Sequence, residues 1–159
     1  MANLLIFGYG NPGRGDDALG PALIERMARL QLAGVECQND MQLQVEHVTD
    51  LDECRRVLFI DADTSCTEPF EFSEIGAIKD DSYTSHAMTP NALLYAYRQV
   101  YQEPAPRAFL LRIRGYDFEL GEELTDKASA NLDAAMELVV HLCATSTCLS
   151  EGGWLVNAG

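Results

Sequence analysis

Apolar positions along the chain alternate between two periodicities, short unbroken runs and stripes of three- and four-residue spacing. Asn3 to Gly8 is a compact Leu/Ile/Phe run closed by glycine, the pattern of a strand buried on both faces. After a Gly/Pro-rich loop, Leu19, Leu23, Met27 and Leu30 mark one face of an amphipathic helix from about Asp17 to Leu32, stopped by Gly34. Val35 to Gln38 reads as a second strand. Gln42 to Cys54 stays open between strand, from the alternation of Leu43 and Val45, and helix, from the spacing of Leu43, His47 and Leu51. Val57 to Ile60 is a third buried strand that runs into Asp61-Ala62-Asp63, and Phe70 to Ile75 alternates as a shorter one. Thr89 as N-cap and Pro90 at the first helical position open a helix over Asn91 to Tyr101. Ala108 to Arg114 is strand-like, and Leu132, Ala135, Val139 and Leu142 stripe a long helix from Thr125 to Cys143. The segment 144–159 shows no clear element, and no internal repeat or second domain is visible, so residues 1–159 read as one domain. The expected architecture is an α/β three-layer sandwich with a mainly parallel twisted sheet flanked by helices.

Charge narrows the function classes. With 25 acidic and 11 basic side chains, a formal charge of −14 at 159 residues disfavours nucleic acid or an anionic membrane as the partner, because both demand clustered Lys and Arg. The longest apolar run, Ala92 to Tyr97, is far below the roughly 20 residues of a membrane helix. The start Met1 to Phe7 lacks a basic leader region, and five cysteines include no C-x-x-C pair; together these imply a cytoplasmic protein with reduced thiols. Nine acids fall between Glu46 and Glu74 against only Arg55 and Arg56, a field suited to a cationic partner.

In a mainly parallel sheet ligands bind beyond the carboxyl ends of the strands. Two unusual acidic segments lie there, the loop after the first strand and Asp61-Ala62-Asp63. The loop Gly8-Tyr9-Gly10-Asn11-Pro12-Gly13 matches the glycine spacing of a dinucleotide fingerprint, with Glu36 further on. Electrostatics opposes that reading. Asp16 and Asp17 stand where the phosphates would sit, and Pro12 removes a backbone donor. The same loop resembles the opening of peptidyl-tRNA hydrolases, but no histidine precedes His47 and the charge suits tRNA poorly, so that chemistry is not carried over.

Gly8-x-Gly10-Asn11-Pro12 followed by Arg14-Gly15-Asp16-Asp17-x-x-Gly20 resembles the first motif of the [NiFe]-hydrogenase maturation endopeptidases. Asp61-Ala62 at the end of an apolar strand and Thr84-Ser85-His86 before a helix match that family's second and third motifs, in family order. The resemblance extends over most of the chain, to about Cys143. It implies an enzyme that removes a C-terminal peptide from a hydrogenase large-subunit precursor once nickel is in place. The partner is then that precursor, and nickel comes with the substrate rather than as a resident cofactor. Carried over by motif, Asp17, Asp61 and His86 recognise the metal and are catalytic in that sense, with Asp16, Asn11 and Gly10 in support. Two carboxylates and an imidazole are suitable donors for a borderline divalent ion, with positions left open for substrate or water. The chain departs from the pattern at Ala18, where many relatives carry glycine, and at Asp63, which adds either a further ligand or a solvated charge. A different class of function, a non-catalytic module that checks a metal-bearing partner, fits the same residues. In the related branch Gln42-Leu43 followed by Glu46 opens a helix, which tips the open segment that way. His47 and His141 are expected to pack or face solvent, Tyr95, Tyr97 and Tyr101 to serve core or rim, Arg112 and Arg114 to pair with surface acids, and Cys66 to carry no nucleophilic role.

Overall fold

A computed structural model describes residues 2–79 and 88–146. Five strands form one sheet in the order β2-β1-β3-β5-β4. These are β1 (Ala2–Tyr9), β2 (Val35–Asp40), β3 (Cys54–Asp63), β4 (Phe70–Ile75) and β5 (Arg107–Arg114). The β1–β2, β1–β3 and β3–β5 pairings are parallel, and β4 closes one edge antiparallel to β5. The helices are α1 (Leu19–Leu30), α2 (Val48–Leu51), α3 (Pro90–Tyr101) and α4 (Asp126–Ser146).

Strand alternation sorts the core into two layers. Leu4 and Ile6 of β1, Leu58 and Ile60 of β3, and Phe109, Leu111 and Ile113 of β5 face α1 and α4, where Leu19, Leu23, Met27, Leu132, Ala135 and Val139 meet them. Leu5, Phe7, Val57 and Phe59 point the opposite way, toward Val48 and Leu51 of α2 and Leu93, Leu94 and Tyr97 of α3. Most of these side chains are fully buried, and each contributes roughly 1.5–3 kcal/mol by leaving water. The three-layer α/β sandwich expected from the pattern is therefore present. Among the described residues no helix is long and apolar enough to cross a membrane.

The differences are local. The helix expected to open at Asp17 begins at Leu19, and Gly15–Ala18 form a 3-10 turn instead. It stops at Leu30 rather than Leu32, because Gln31 adopts the left-handed conformation (φ 48°) and returns its N–H to the Ala28 carbonyl. The open segment Gln42 to Cys54 becomes a 3-10 turn at Val45–His47, the single helical turn α2, and at Cys54 already the start of β3. Strand β2 extends two residues beyond expectation, to Asp40. The last helix continues three residues past Cys143, into the segment read as irregular. Thr89 caps α3 as expected, accepting the Ala92 N–H at 3.0 Å.

From β1 the chain moves to β2 on one side of the sheet and returns across it to β3 on the other. The carboxyl ends of β1 and β3 thus flank the point where the winding reverses, the position at which open α/β sheets leave a crevice. Gly20 makes a tight approach possible there. A Cβ at this position would lie 2.7 Å from the Tyr9 carbonyl oxygen and 2.9 Å from that of Ile60, so only glycine lets α1 rest directly on both strand ends.

Candidate metal-recognition site

The loop after β1 is folded by its own polar groups. Gly10 donates to the Asp40 carbonyl at 3.1 Å, Asn11 N–H to Asp17 Oδ2 at 2.8 Å, Gly13 N–H to Asn11 Oδ1 at 2.8 Å and Arg14 N–H to the Asn11 carbonyl at 3.1 Å. Every backbone donor from Gly10 to Arg14 that is not removed by Pro12 is consumed within the chain. The glycine-rich loop therefore offers no row of free N–H groups to a pyrophosphate.

Gly10 carries a φ of 144°, and a Cβ there would overlap the Asp17 carbonyl oxygen. Its absence of side chain lets Asp17 fold back over the loop and accept from Asn11. Gly10→Ala is accordingly expected to displace Asp17 and to cost about 2–3 kcal/mol in thermal or urea unfolding, from backbone strain and the steric overlap together. Asn11 and Gly10 thus hold Asp17 in place over the loop.

Asp16 and Asp17, adjacent in sequence, have separate roles. Asp16 is fully buried. One carboxylate oxygen accepts from Tyr116 N–H at 2.8 Å, Asp117 N–H at 3.2 Å and Thr125 Oγ1 at 2.9 Å, and the other from Thr125 N–H at 2.7 Å. It ties the 115–125 loop to the 3-10 turn through these bonds, and α1 itself has no side-chain cap. Asp17 is half-buried and turned the other way, to the Asn11 N–H.

Asp61 follows the buried run of β3 and is only partly covered. Burial pushes its carboxyl up to about 7, opposed by the Ala62 N–H and reinforced by the charges of Asp63 and Asp17; a hydrogen bond from Tyr9 acts in the opposing direction. That coupling brings Asp17 and Asp61 into one electrostatic site. Tyr9, at the end of β1, reaches the same carboxylate; burial first and Asp61 second raise its hydroxyl well above the ordinary range, so it stays a proton donor. Among the described residues neither Asp17 nor Asp61 has a cationic side chain as an ion-pair partner, whereas Asp63 does. Two coupled carboxylates without a counter-cation fit a divalent ion presented from outside.

His86, the third residue of the motif, lies outside the described residues, and among those that are described no group of three metal-donor side chains converges. Its neighbour in sequence, Met88, packs in the same layer as Phe7 and Phe59.

Asp63 is answered by the geometry. Its Oδ1 accepts from Ser65 N–H at 2.7 Å and Ser65 Oγ at 2.8 Å, and its Oδ2 from Arg112 Nη1 at 3.0 Å. Partial burial acts to raise its carboxyl, but these donors hold it below the ordinary range. It is an engaged side chain, not a free donor beside Asp61. Arg112 also pairs with Glu71, as expected of a strand arginine among acids. Arg114 departs from that expectation: it donates to the Cys66 carbonyl at 2.8 Å and lies over the Tyr116 ring. Cys66 is buried and its thiol is pushed up by that burial, which leaves it inert as a nucleophile. His47 packs edge-on against Phe7; its Nδ1 accepts from Gln44 N–H while Nε2 bonds Asp40, the residue whose carbonyl holds Gly10. His141 is exposed on α4.

Tyr9 is the site residue that sequence reasoning missed. Its place inside the glycine motif suggested only a spacer, and its contact with Asp61 depends on the β1–β3 register, in which Gly8 faces Ile60. Alternation along two parallel strands was the available signal.

The fold is that of the hydrogenase maturation proteases. The [NiFe] hydrogenase maturation protease HycI from Thermococcus kodakarensis KOD1 superposes with a TM-score of 0.71 at 21% identity, over 90% of this chain and 93% of that one. The hydrogenase maturating endopeptidase HybD from E. coli gives 0.70 at 21% identity, over 92% and 94%. The hydrogenase 2 maturation peptidase from Thaumarchaeota archaeon SCGC_AB-539-E09 gives 0.63 at 21%, over 87% and 96%. No protein-family profile matches the chain, and no curated protein sequence does.

Proposed function

We propose that this chain is a cytoplasmic hydrogenase maturation endopeptidase, removing a C-terminal peptide from the large-subunit precursor of a [NiFe] hydrogenase after nickel has been loaded. The observation that carries the reading is the placement of Asp17 and Asp61, neither ion-paired to a cationic side chain among the described residues, at the reversal point of a sheet whose fold is shared with solved hydrogenase maturation proteases. In this reading Asp17, Asp61 and His86 recognise the nickel of the substrate, through two carboxylate oxygens and one imidazole nitrogen.

The chain's own groups account for the required properties. Asn11 N–H fixes one oxygen of Asp17 and leaves the other available. Tyr9 donates to Asp61 and orients it in the same sense. The 3-10 turn and the tight seat of α1 on Gly20 hold the two acids on rigid elements. A nickel ion in the substrate supplies Lewis acidity toward the scissile carbonyl. The acidic stretch from Glu46 to Glu74 favours approach of a cationic metal centre or a basic tail.

Incubating the protein with candidate precursors, with and without nickel, and weighing the products tests this directly. Release of a C-terminal peptide from the nickel-loaded precursor alone is the expected result. A precursor that is bound but never shortened would instead identify a checkpoint module, and equal cleavage without nickel would sink the metal-recognition reading.

A further inference from the structure

At the amino end of β5, remote from the end that pairs with Asp61 and Asp63, the sheet and α3 leave a cavity of about 590 Å3 that opens to solvent. Its apolar walls come from Ile75 at the end of β4, Leu94 on α3, and Pro104 and Pro106 in the connection to β5. The two prolines bring no backbone N–H, so that wall offers surface without donors. The charges around the cavity are unequally engaged. Glu74 accepts from Nε and Nη2 of Arg107 at 3.1 and 3.2 Å, and the same guanidinium lies 5.6 Å from the centre of the Phe109 ring. Glu103 bonds the Tyr97 hydroxyl at 3.0 Å. Arg98, in the last turn of α3, also lines the cavity, yet among the described residues its guanidinium has neither an ion-pair nor a hydrogen-bond partner. Both acids are therefore occupied while one planar cation stays open.

We infer that this cavity is a second ligand site, independent of the proposed metal-recognition reading, and that it takes a monocarboxylate with an apolar body. The carboxylate pairs with the Arg98 fork, with the Gln99 amide on the same lining as a further donor, and the body lies against Ile75, Leu94 and the proline wall. The volume falls within the roughly 300–1,000 Å3 of small-molecule sites. A dianionic phosphate ester is a poorer fit, because Glu74, Glu103 and the carboxyl end of α3 all oppose a second negative charge. A carboxylate of this kind is carried either by a free small acid or by the chain terminus of a peptide with apolar last residues.

The test is an NMR titration of the isotope-labelled intact protein with two probes, phenylbutyrate for a free acid and N-acetyl-leucyl-leucine for a chain terminus, each beside its neutral amide. Saturable binding of at least one acid is expected, with a Kd of about 0.1–1 mM. Amide shifts are expected at Ala77, Leu94, Gln99 and Ala105 and not at Gly10 to Gly15. The amides, and either acid with Arg98→Gln, are expected to bind at least about tenfold more weakly, since the charge-assisted pair is lost. Phenylbutyl phosphate is expected to bind more weakly than phenylbutyrate. Whichever acid binds more tightly identifies the source of the carboxylate, and either result supports the site. Failure of both acids to saturate overturns the inference, as do shifts confined to other residues, equal binding of acid and amide, or an unchanged affinity in Arg98→Gln. A parent protein that sediments as a dimer, dissociated by Arg98→Gln, would make this face an interface between copies and also sink it. Arg98 is exposed, so its replacement leaves the core untouched, and the acid–amide comparison on the parent protein decides the matter whatever the variant does.

Discussion

Asp61→Asn is expected to abolish release of the precursor's C-terminal peptide and, in the same protein, to raise its stability at pH 8. The two effects come from one cause. In the folded protein burial and the nearby charges of Asp63 and Asp17 raise the Asp61 carboxyl from 3.8 to about 7. Between these values the native state binds more protons than the unfolded chain, so stability falls as pH rises through the window. Above about pH 7 the full cost of holding a buried carboxylate beside two others is present. Asparagine keeps the shape and a hydrogen-bond acceptor for Tyr9 but removes the charge. The variant is expected to gain about 2–4 kcal/mol at pH 8, almost nothing at pH 4, and to show a flatter stability profile between. Urea unfolding followed by circular dichroism at several pH values measures this, and peptide release from nickel-loaded precursor measures the loss. An Asp61→Asn protein that is less stable at pH 8 would mean that the carboxylate is satisfied in the fold and is not held in reserve for a ligand. The same titration predicts weaker metal recognition below pH 7, because a protonated carboxyl is a poor donor.

How far the sequence discloses this arrangement depends on the range of the interaction concerned. Leu4 to Phe7, Val57 to Ile60 and the 132/135/139/142 stripe announce β1, β3 and α4 because their burial is dense and periodic. The polar entry of β3 at Arg56 is strand for a different reason: its main chain pairs with Leu4 of β1 on one side and Arg107 of β5 on the other. The same holds for Asn39 and Asp40 in β2, held by pairing with Gly8 and Tyr9. The family resemblance singles out Asp17 and Asp61 as candidates, and both lie at the sheet reversal. Register-dependent contacts remain hidden from spacing. Tyr9 on Asp61, Arg112 on Asp63 and Arg112 on Glu71 each require knowing which strands are neighbours and in what order. Arg112 could be read as an acid-paired strand arginine, but which acids it pairs follows only from the order β3-β5-β4. The division between Asp16 and Asp17 is hidden for the same reason, since the partners of Asp16 lie about a hundred residues away.

Asp16→Ala is expected to be the most destabilising single change at the site. Three backbone N–H groups and the Thr125 hydroxyl converge on its buried carboxylate. Alanine leaves them facing a void, and each unpaired buried donor costs about 1–3 kcal/mol. Partial relaxation and water entry reduce the sum, giving a net loss of about 3–5 kcal/mol in urea unfolding, a large share of the 5–15 kcal/mol that a domain of this kind has in total. Asp16→Asn tests the mechanism more finely. It preserves the volume but replaces one acceptor oxygen with an NH2 group that must face an N–H or the Thr125 hydroxyl, so a loss of about 2 kcal/mol is expected. Thr125→Val removes one donor and the N-terminal link from Oγ1 to Ala128 N–H, and is expected to cost about 1–2 kcal/mol. Coupling should appear as a Thr125→Val penalty that largely vanishes in the Asp16→Ala background. Hydrogen exchange at Tyr116, Asp117 and Thr125 supplies the local readout: these amides should lose protection in Asp16→Ala. The Gly10 amide, held by the Asp40 carbonyl on the other side of the site, should lose less. Equal loss at all four would make Asp16 a residue of the whole fold rather than the tie that holds the 115–125 loop against the Gly15–Ala18 turn.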